Sequence, residues 1–271
     1  MSITTREYYI AYFDVLGYKA FFTEQDNDIY EFLKSNIDMA NDIIRKTELG
    51  AVFDNIPFEV KSFSDNFMIL IPKISQLNDY QAVKVLSYLM ALFQLRFLEK
   101  YSILVRGSIT IGDAYLNNHI VFGNGLIHAV ELEGQANFPR IILDHEKIGV
   151  NICDDLCEKC VQKDEDGVYY INFFGILGSE IGFDGEFSYN EDKHLEMIRK
   201  NIIKLVNKHG KYNRSVKDAK KIAESEKTIS KYAWLLTKFN QYCDFYWPEY
   251  KIPYTLTLYY RLMRCEISVE K

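Results

Sequence analysis

The stretch YYIAYFDVLGYKAFF, residues 8–22, constrains this chain more than any other. It sets one carboxylate, Asp14, inside an apolar run. Residues 7–15 are rich in Tyr, Ile and Phe and are predicted to form a strand, on which period two puts Tyr8, Ile10, Tyr12 and Asp14 on one face. A buried carboxylate is costly unless it is paired or coordinates a metal, so this strand demands a partner for Asp14.

The rest of the chain supplies the frame in which that partner is sought. A helix is predicted over 28–47, and FEVKSFSDNFMILI, residues 58–71, reads as two strands turning at Ser64-Asp65-Asn66. Residues 79–100 repeat Val85, Leu89, Phe93 and Phe97 at i+4, a helix with one apolar stripe. Residues 103–112 alternate as a strand with Arg106, Ser108 and Thr110 on one face. Asn117-Asn118 fits a hairpin turn and 119–122 a returning strand. A helix over 124–134 opens on Gly123-Asn124-Gly125, and strands follow at RIILD and at 168–174. Two β-α-β halves in this order make a ferredoxin-like plan, an α+β fold whose antiparallel or mixed sheet is covered by helices. From about residue 186 the composition turns Lys-rich, with helices over 190–209 and 215–243. The chain therefore divides into a core of residues 1–185 and a helical extension, 186–271, packed on the same domain. The aromatic tail fits a strand as well as a helix.

Composition narrows the function classes. In 271 residues, 48% hydrophobic, there is enough apolar material for a large core. The net charge of -6 and the lack of a Lys/Arg block argue against DNA as a partner. No apolar run approaches the roughly 20 residues of a membrane span, and the N-terminus lacks the pattern of a secretion signal. Five cysteines, an odd number, read as reduced thiols of a cytoplasmic protein. Cys153, Cys157 and Cys160 recur at i, i+4 and i+7, the spacing of one helix face, and no second Cys/His pair completes a zinc site.

The candidate partner of Asp14 is Asp65, at the tip of a hairpin expected beside the end of the first strand. Two carboxylates brought together repel unless a cation separates them, and oxygen donors suit Mg²⁺ or Mn²⁺. Leu16-Gly17-Tyr18 then supplies a loop whose backbone N–H groups can face phosphates. From the residues alone a second account stands beside this one: Asp14 caps the next helix, and Asp65 is only a turn residue.

Three blocks in order, FDVLGY, VKSFSDNF and RGSITIGDAYLNNHIVFGNGLIHAVELE, resemble the class III nucleotide cyclase domain over residues 7–145, about half of the chain. The resemblance implies that Asp14, Asp65 and the backbone carbonyl of Val15 bind two divalent cations, Mn²⁺ or Mg²⁺. The wording RG-x-I-x-IG, IVFG, A-ELE and PRI is similar to the pyrimidine cyclases of the bacterial Pycsar antiphage system. That likeness implies a homodimer with shared sites that converts a pyrimidine nucleoside triphosphate to its 3′,5′-cyclic monophosphate. The product would act on a separate effector, a TIR-domain NADase or a membrane protein.

Asp14 and Asp65 of one chain would face Lys61, Asn124 and Arg106 of the other, with Tyr12, Gly17 and Tyr18 also at the substrate. Lys61 and Asn124 fall where the family reads its base. Ile127 and Glu131 fall where the family carries the Asn and Arg that stabilise the transition state, and neither can replace them. Arg106 and His128 are the candidate substitutes. Tyr12, Tyr18 and Phe63 crowd the place where a purine would need room. Lys61 can only donate, which favours uracil, with two carbonyl acceptors, over cytosine, so UTP is preferred to CTP. A non-catalytic cyclase-like binding module is the rival reading. A diguanylate-cyclase-like or palm enzyme is another, although SFSDNF stands where a Gly-Gly-Asp-Glu-Phe-like hairpin would be needed.

Overall fold

A computed structural model describes residues 4–17, 31, 34–35, 37–38, 58–117, 119–157, 160–177, 191–210 and 219–253. Most of the helix predicted over 28–47 lies outside the described residues, as do Tyr18, Asn118 and the tail from residue 254.

Eight strands are described: β1 (Arg6–Leu16), β2 (Glu59–Phe63), β3 (Asn66–Pro72), β4 (Leu104–Leu116), β5 (Val121–Phe122), β6 (Ile141–Leu143), β7 (Val161–Lys163) and β8 (Tyr169–Ile171). The sheet runs β2-β3-β1-β4-β6-β8-β7, with β5 paired to β4 off this path. Its first four strands, in order 2-3-1-4, are antiparallel throughout, which is the expected ferredoxin-like plan. β4 and β6 are parallel, so the sheet is mixed.

β1 is central and buried on both faces. On one face Phe13 stacks on Phe67 at 5.0 Å and meets Phe93 at 5.5 Å, placing helix α1 (Asp79–Tyr101) on that side. Each such ring contributes roughly 1.5–3 kcal/mol by leaving water. On the other face Tyr8, Ile10 and Tyr12 join Met68, Leu70, Ala114 and Ala129 in a second cluster. Ala129 belongs to helix α2 (Asn124–Gln135), which lies unusually close to β4. A Cβ on Gly112 would come within 2.7 Å of the Gly125 Cα, and one on Gly125 within 2.7 Å of the Gly112 carbonyl carbon. Only a pair of glycines permits that approach. It fixes the helix that delivers the second half of the site.

Two expectations change in detail. The strand read over 168–174 ends at Ile171, and Phe173–Ile176 is a 3-10 turn. A strand would send Phe173 and Phe174 to opposite faces, whereas the turn buries both rings together at 4.2 Å. The strand read over 119–122 shrinks to Val121–Phe122, because the Asn117 side chain accepts the His119 and Ile120 N–H groups and closes a turn there.

Beyond β6 come two short helices, α3 (His145–Ile148) and α4 (Val150–Cys157). Cys153 and Cys160 are buried and Cys157 half-buried; none of the three is in a disulfide, and burial pushes Cys153 up to about 12. Among the described residues no group of three or more His, Cys, Asp or Glu is placed to hold a metal. None of their helices is long and apolar enough to cross a membrane.

Contacts divide the chain into two compact units, residues 1–96 with 103–188, and 97–102 with 189–271. The second is helical: α5 (Glu191–Gly210) and α6 (Ala219–Tyr246). Within it, Asn201 donates to the Leu98 carbonyl at 3.0 Å, His194 meets Glu99 at 2.5 Å, and Asn240 bonds both backbone groups of Ile252 at 2.9 Å.

Candidate functional site

The strand registers decide which predicted residues meet. Asp14 pairs with Asn66 on β3 and with Arg106 on β4, so Arg106, expected to face Asp14 from the opposite protomer, stands beside Asp14 of its own chain. The Val15 N–H donates to the Asp65 carbonyl at 2.9 Å, so the tip of the β2–β3 hairpin sits against the end of β1. Asp65 is half-buried, and its carboxylate accepts from Asn66 Nδ2 at 3.1 Å. The backbone thus brings Asp14, Val15 and Asp65 to one sheet edge, as the turn chemistry of Ser64-Asp65 anticipates. Gly17 follows with φ 80, a left-handed conformation that glycine adopts without strain.

One row along the same face, Tyr12 pairs with Met68 and Ser108, and Met68 with Lys61. The Tyr12 hydroxyl donates to Asn66 Oδ1, next to the Asp65 carboxylate. Burial, and then the charges of Glu133, Asp14 and Asp65, push the phenol up to about 12, so it is a fixed donor. Lys61 shares this face and meets Glu59 at 3.1 Å.

Asn124 is not brought to Asp14 within one chain. It is the exposed first residue of α2, behind Gly123 at the cap position, whereas the end of α2 that reaches Asp14 is about 13 Å further along the helix rise. His128 turns to a separate cluster: its Nε2 lies 2.8 Å from Asp144 Oδ2, which also accepts from Thr110 Oγ1 at 2.5 Å. Ile127 and Glu131 are both exposed on α2.

The residue that sequence reasoning missed is Glu133. Arg106 Nε donates to Glu133 Oε1 and lies 3.8 Å from Asp14 Oδ1. All three side chains are largely buried, at 22% exposure for Arg106, 24% for Asp14 and 10% for Glu133. Burial, reinforced by the Asp14 charge and opposed by Arg106, pushes the Glu133 carboxyl up to about 7. A signal for it exists in the sequence. The buried face of α2 is Gly125, Ala129 and Glu133, at i, i+4 and i+8, so a charge stands in the helix's inward stripe.

The donor chemistry here fits a hard divalent cation. Asp14 and Asp65 offer carboxylate oxygens and Val15 a carbonyl, with no soft ligand among them. Mg²⁺ is commonly held by one or two carboxylates, with substrate phosphates and water completing the shell, so two acidic residues suffice.

No family model matches the chain, and no curated protein matches it. Solved structures similar to it include the adenylyl cyclase CyaB from P. aeruginosa, at 13% identity and TM-score 0.44, covering 63% of this chain and 96% of that one. An adenylate/guanylate cyclase/hydrolase from Silicibacter pomeroyi is similar at 18% identity and TM-score 0.40, covering 62% and 95%. The catalytic core of a rhodopsin-guanylyl cyclase with converted specificity, in complex with ATPαS, is similar at 13% identity and TM-score 0.42, covering 62% and 97%. At identities this low, none of them fixes a residue's role in this chain.

Proposed function

We propose that this protein is a nucleotide cyclase of the class III type, acting on a pyrimidine nucleoside triphosphate, UTP before CTP, as a second-messenger synthase in antiphage defence. The observation that carries the reading is the register at the end of β1, which sets Asp14 opposite Asn66 and Val15 against Asp65. That edge joins the two carboxylates singled out in the sequence by a charge in an apolar strand and by a turn.

Asp14, Asp65 and the Val15 carbonyl would hold divalent cations, Mn²⁺ or Mg²⁺. When bound, such ions supply Lewis acidity and neutralise charge on a transferring phosphoryl group. In the reaction the ribose 3′-hydroxyl bonds to the α-phosphorus as pyrophosphate departs. Arg106, oriented by Glu133, places a permanent positive charge beside the same edge, where a phosphate carries its negative charge. Tyr12, held by Asn66, walls the face that carries Asp14. A Cβ on Gly17 would meet nothing within 4 Å among the described residues, so there is room beside that backbone. Tyr18 follows it in the sequence. Asn124, remote from Asp14 in its own chain, suits a homodimer in which each site takes Asp14 and Asp65 from one protomer and Lys61 and Asn124 from the other.

The exposure of Ile127 and Glu131 favours a second reading, a nucleotide-binding module without turnover, since α2 offers neither an amide nor a guanidinium at those positions. One experiment separates the two. Purified protein is incubated with each of UTP, CTP, ATP and GTP under Mn²⁺, and the products are resolved by mass. Cyclic UMP with pyrophosphate is expected. Dominant cyclic CMP overturns the Lys61 argument, dominant purine products overturn the pyrimidine assignment, and binding without product favours the module.

A further inference from the structure

We propose that Glu133 is a positioning residue that decides whether Asp14 answers to Arg106 or to a divalent cation. The inference rests on the cation site proposed above and assigns a role to a residue outside it.

Arg106 and Asp14 are cross-strand partners on β4 and β1. Side chains so placed start from Cβ atoms about 4.5–5.5 Å apart, and an Arg–Asp pair there would ordinarily bond directly. In this structure it does not. The Arg106 Nε bonds to Glu133 and keeps Asp14 Oδ1 only as an ion-pair partner at 3.8 Å, while Glu133 itself also reaches the Asp14 side chain. The guanidinium is drawn toward α2 and away from the strand.

Glu133 can do this because α2 is held in place twice. The Gly112–Gly125 contact sets the helix close to β4. One turn before Glu133, Ser108 Oγ on β4 donates to the Ala129 carbonyl at 2.7 Å, and Ser108 is fully buried. The carboxylate is therefore delivered to a preset point rather than swinging from a loose helix. A guanidinium and a metal ion compete for one carboxylate, because both are positive and both need its oxygens. Whatever holds Arg106 aside favours the ion, as residues behind metal ligands commonly do.

The test is Mn²⁺ binding to the full chain without nucleotide, measured by calorimetry at about pH 8, where the Glu133 carboxyl is ionised. Wild type and Asp14→Asn define the site. Glu133→Gln keeps the side-chain shape but removes the charge that anchors Arg106, so affinity should fall by about 10–100-fold. The double variant Arg106→Gln with Glu133→Gln removes both competitor and anchor, so affinity should return to near the wild-type value. That recovery separates competition from a folding defect, which the double variant would share. Wild-type binding that Asp14→Asn abolishes and Glu133→Gln leaves unchanged overturns the assignment of Glu133 alone. Failure of the double variant to recover overturns it too. Wild-type binding that Asp14→Asn does not reduce, or no binding at all, overturns the cation reading and this inference with it.

Discussion

Arg140 and Arg106 each face two carboxylates within the same compact unit. Arg140 is fully buried, and each of its three nitrogens finds an acceptor: Nε bonds the Ala136 carbonyl at 3.0 Å, Nη1 bonds Asp164 at 2.5 Å and Asp166 at 3.2 Å, and Nη2 also bonds Asp166. The rings of Phe138 and Tyr170 lie 5.1 and 6.0 Å from its guanidinium carbon. Burial raises the Asp166 carboxyl, but hydrogen bonds from Arg140 and the Val168 N–H outweigh it, and the group ends below its ordinary value. Around Arg106 the balance falls the other way. One nitrogen is divided between Glu133 and the more distant Asp14, and Glu133 ends above its ordinary value. The same residue types thus make a pin in one place and a strained cluster in the other. Perturbed carboxylates gather where chemistry is done, and the strained cluster lies at the edge that holds Asp14 and Val15.

The largest expected effect lies in the strained cluster. Asp14→Ala or Asp65→Ala should reduce cyclisation at least about 10³-fold, while thermal melts stay close to wild type. Neither side chain packs apolar surface, and without Asp14 the pair of Arg106 and Glu133 remains. Initial rates and a melt on the same samples check this. Full activity in either variant breaks the two-carboxylate reading.

Substituting the pin should do the reverse. Arg140→Met leaves the buried Asp164 without its counter-charge, which costs about 3–5 kcal/mol. Activity per folded molecule should hold, because Arg140 touches neither Asp14 nor Asp65. Denaturant unfolding gives the stability, and rates normalised to folded protein give the other half. A stable Arg140→Met with lost activity would erase the contrast between the clusters.

The two clusters also differ in how far the sequence discloses them. Asp14 shows as a charge in an apolar strand, and Asp65 as a turn residue between apolar flanks, so local chemistry reveals both. The 2-3-1-4 order follows from element order and from the rule that successive elements pack as neighbours. Glu133 was obscure because Glu is ordinary in a helix; its meaning depends on α2 lying against β4, which the Gly112–Gly125 contact sets across distant positions. Fitting α2 to a family pattern drew attention to Ile127 and Glu131, which the structure exposes. The Asp164–Asp166 turn that serves Arg140 is equally silent, since Asp residues before Gly167 read as turn chemistry and nothing in their spacing names a distant arginine.

The smallest effect sharpens the comparison through pH. Glu133 has a folded-state value of about 7, above the ordinary Glu range, mainly because it is buried and then because Asp14 is near. The folded protein therefore holds a proton there that the unfolded chain has already lost. Stability from this proton is fully present below about pH 4.5 and is lost as pH rises through about 7, after which the cost is constant. Glu133→Gln carries no such term. Its stability relative to wild type should rise between about pH 4.5 and 7, when both are unfolded in denaturant without added metal. Asp166 sets the opposite sign as an internal control. Its value is depressed, so its contribution is present at neutral pH and lost on acidification, and Asp166→Asn should fall behind wild type toward neutral pH. Parallel pH profiles for the two variants would mean that both arginine clusters are structural pins, and that the strain at Asp14 has no counterpart in free energy.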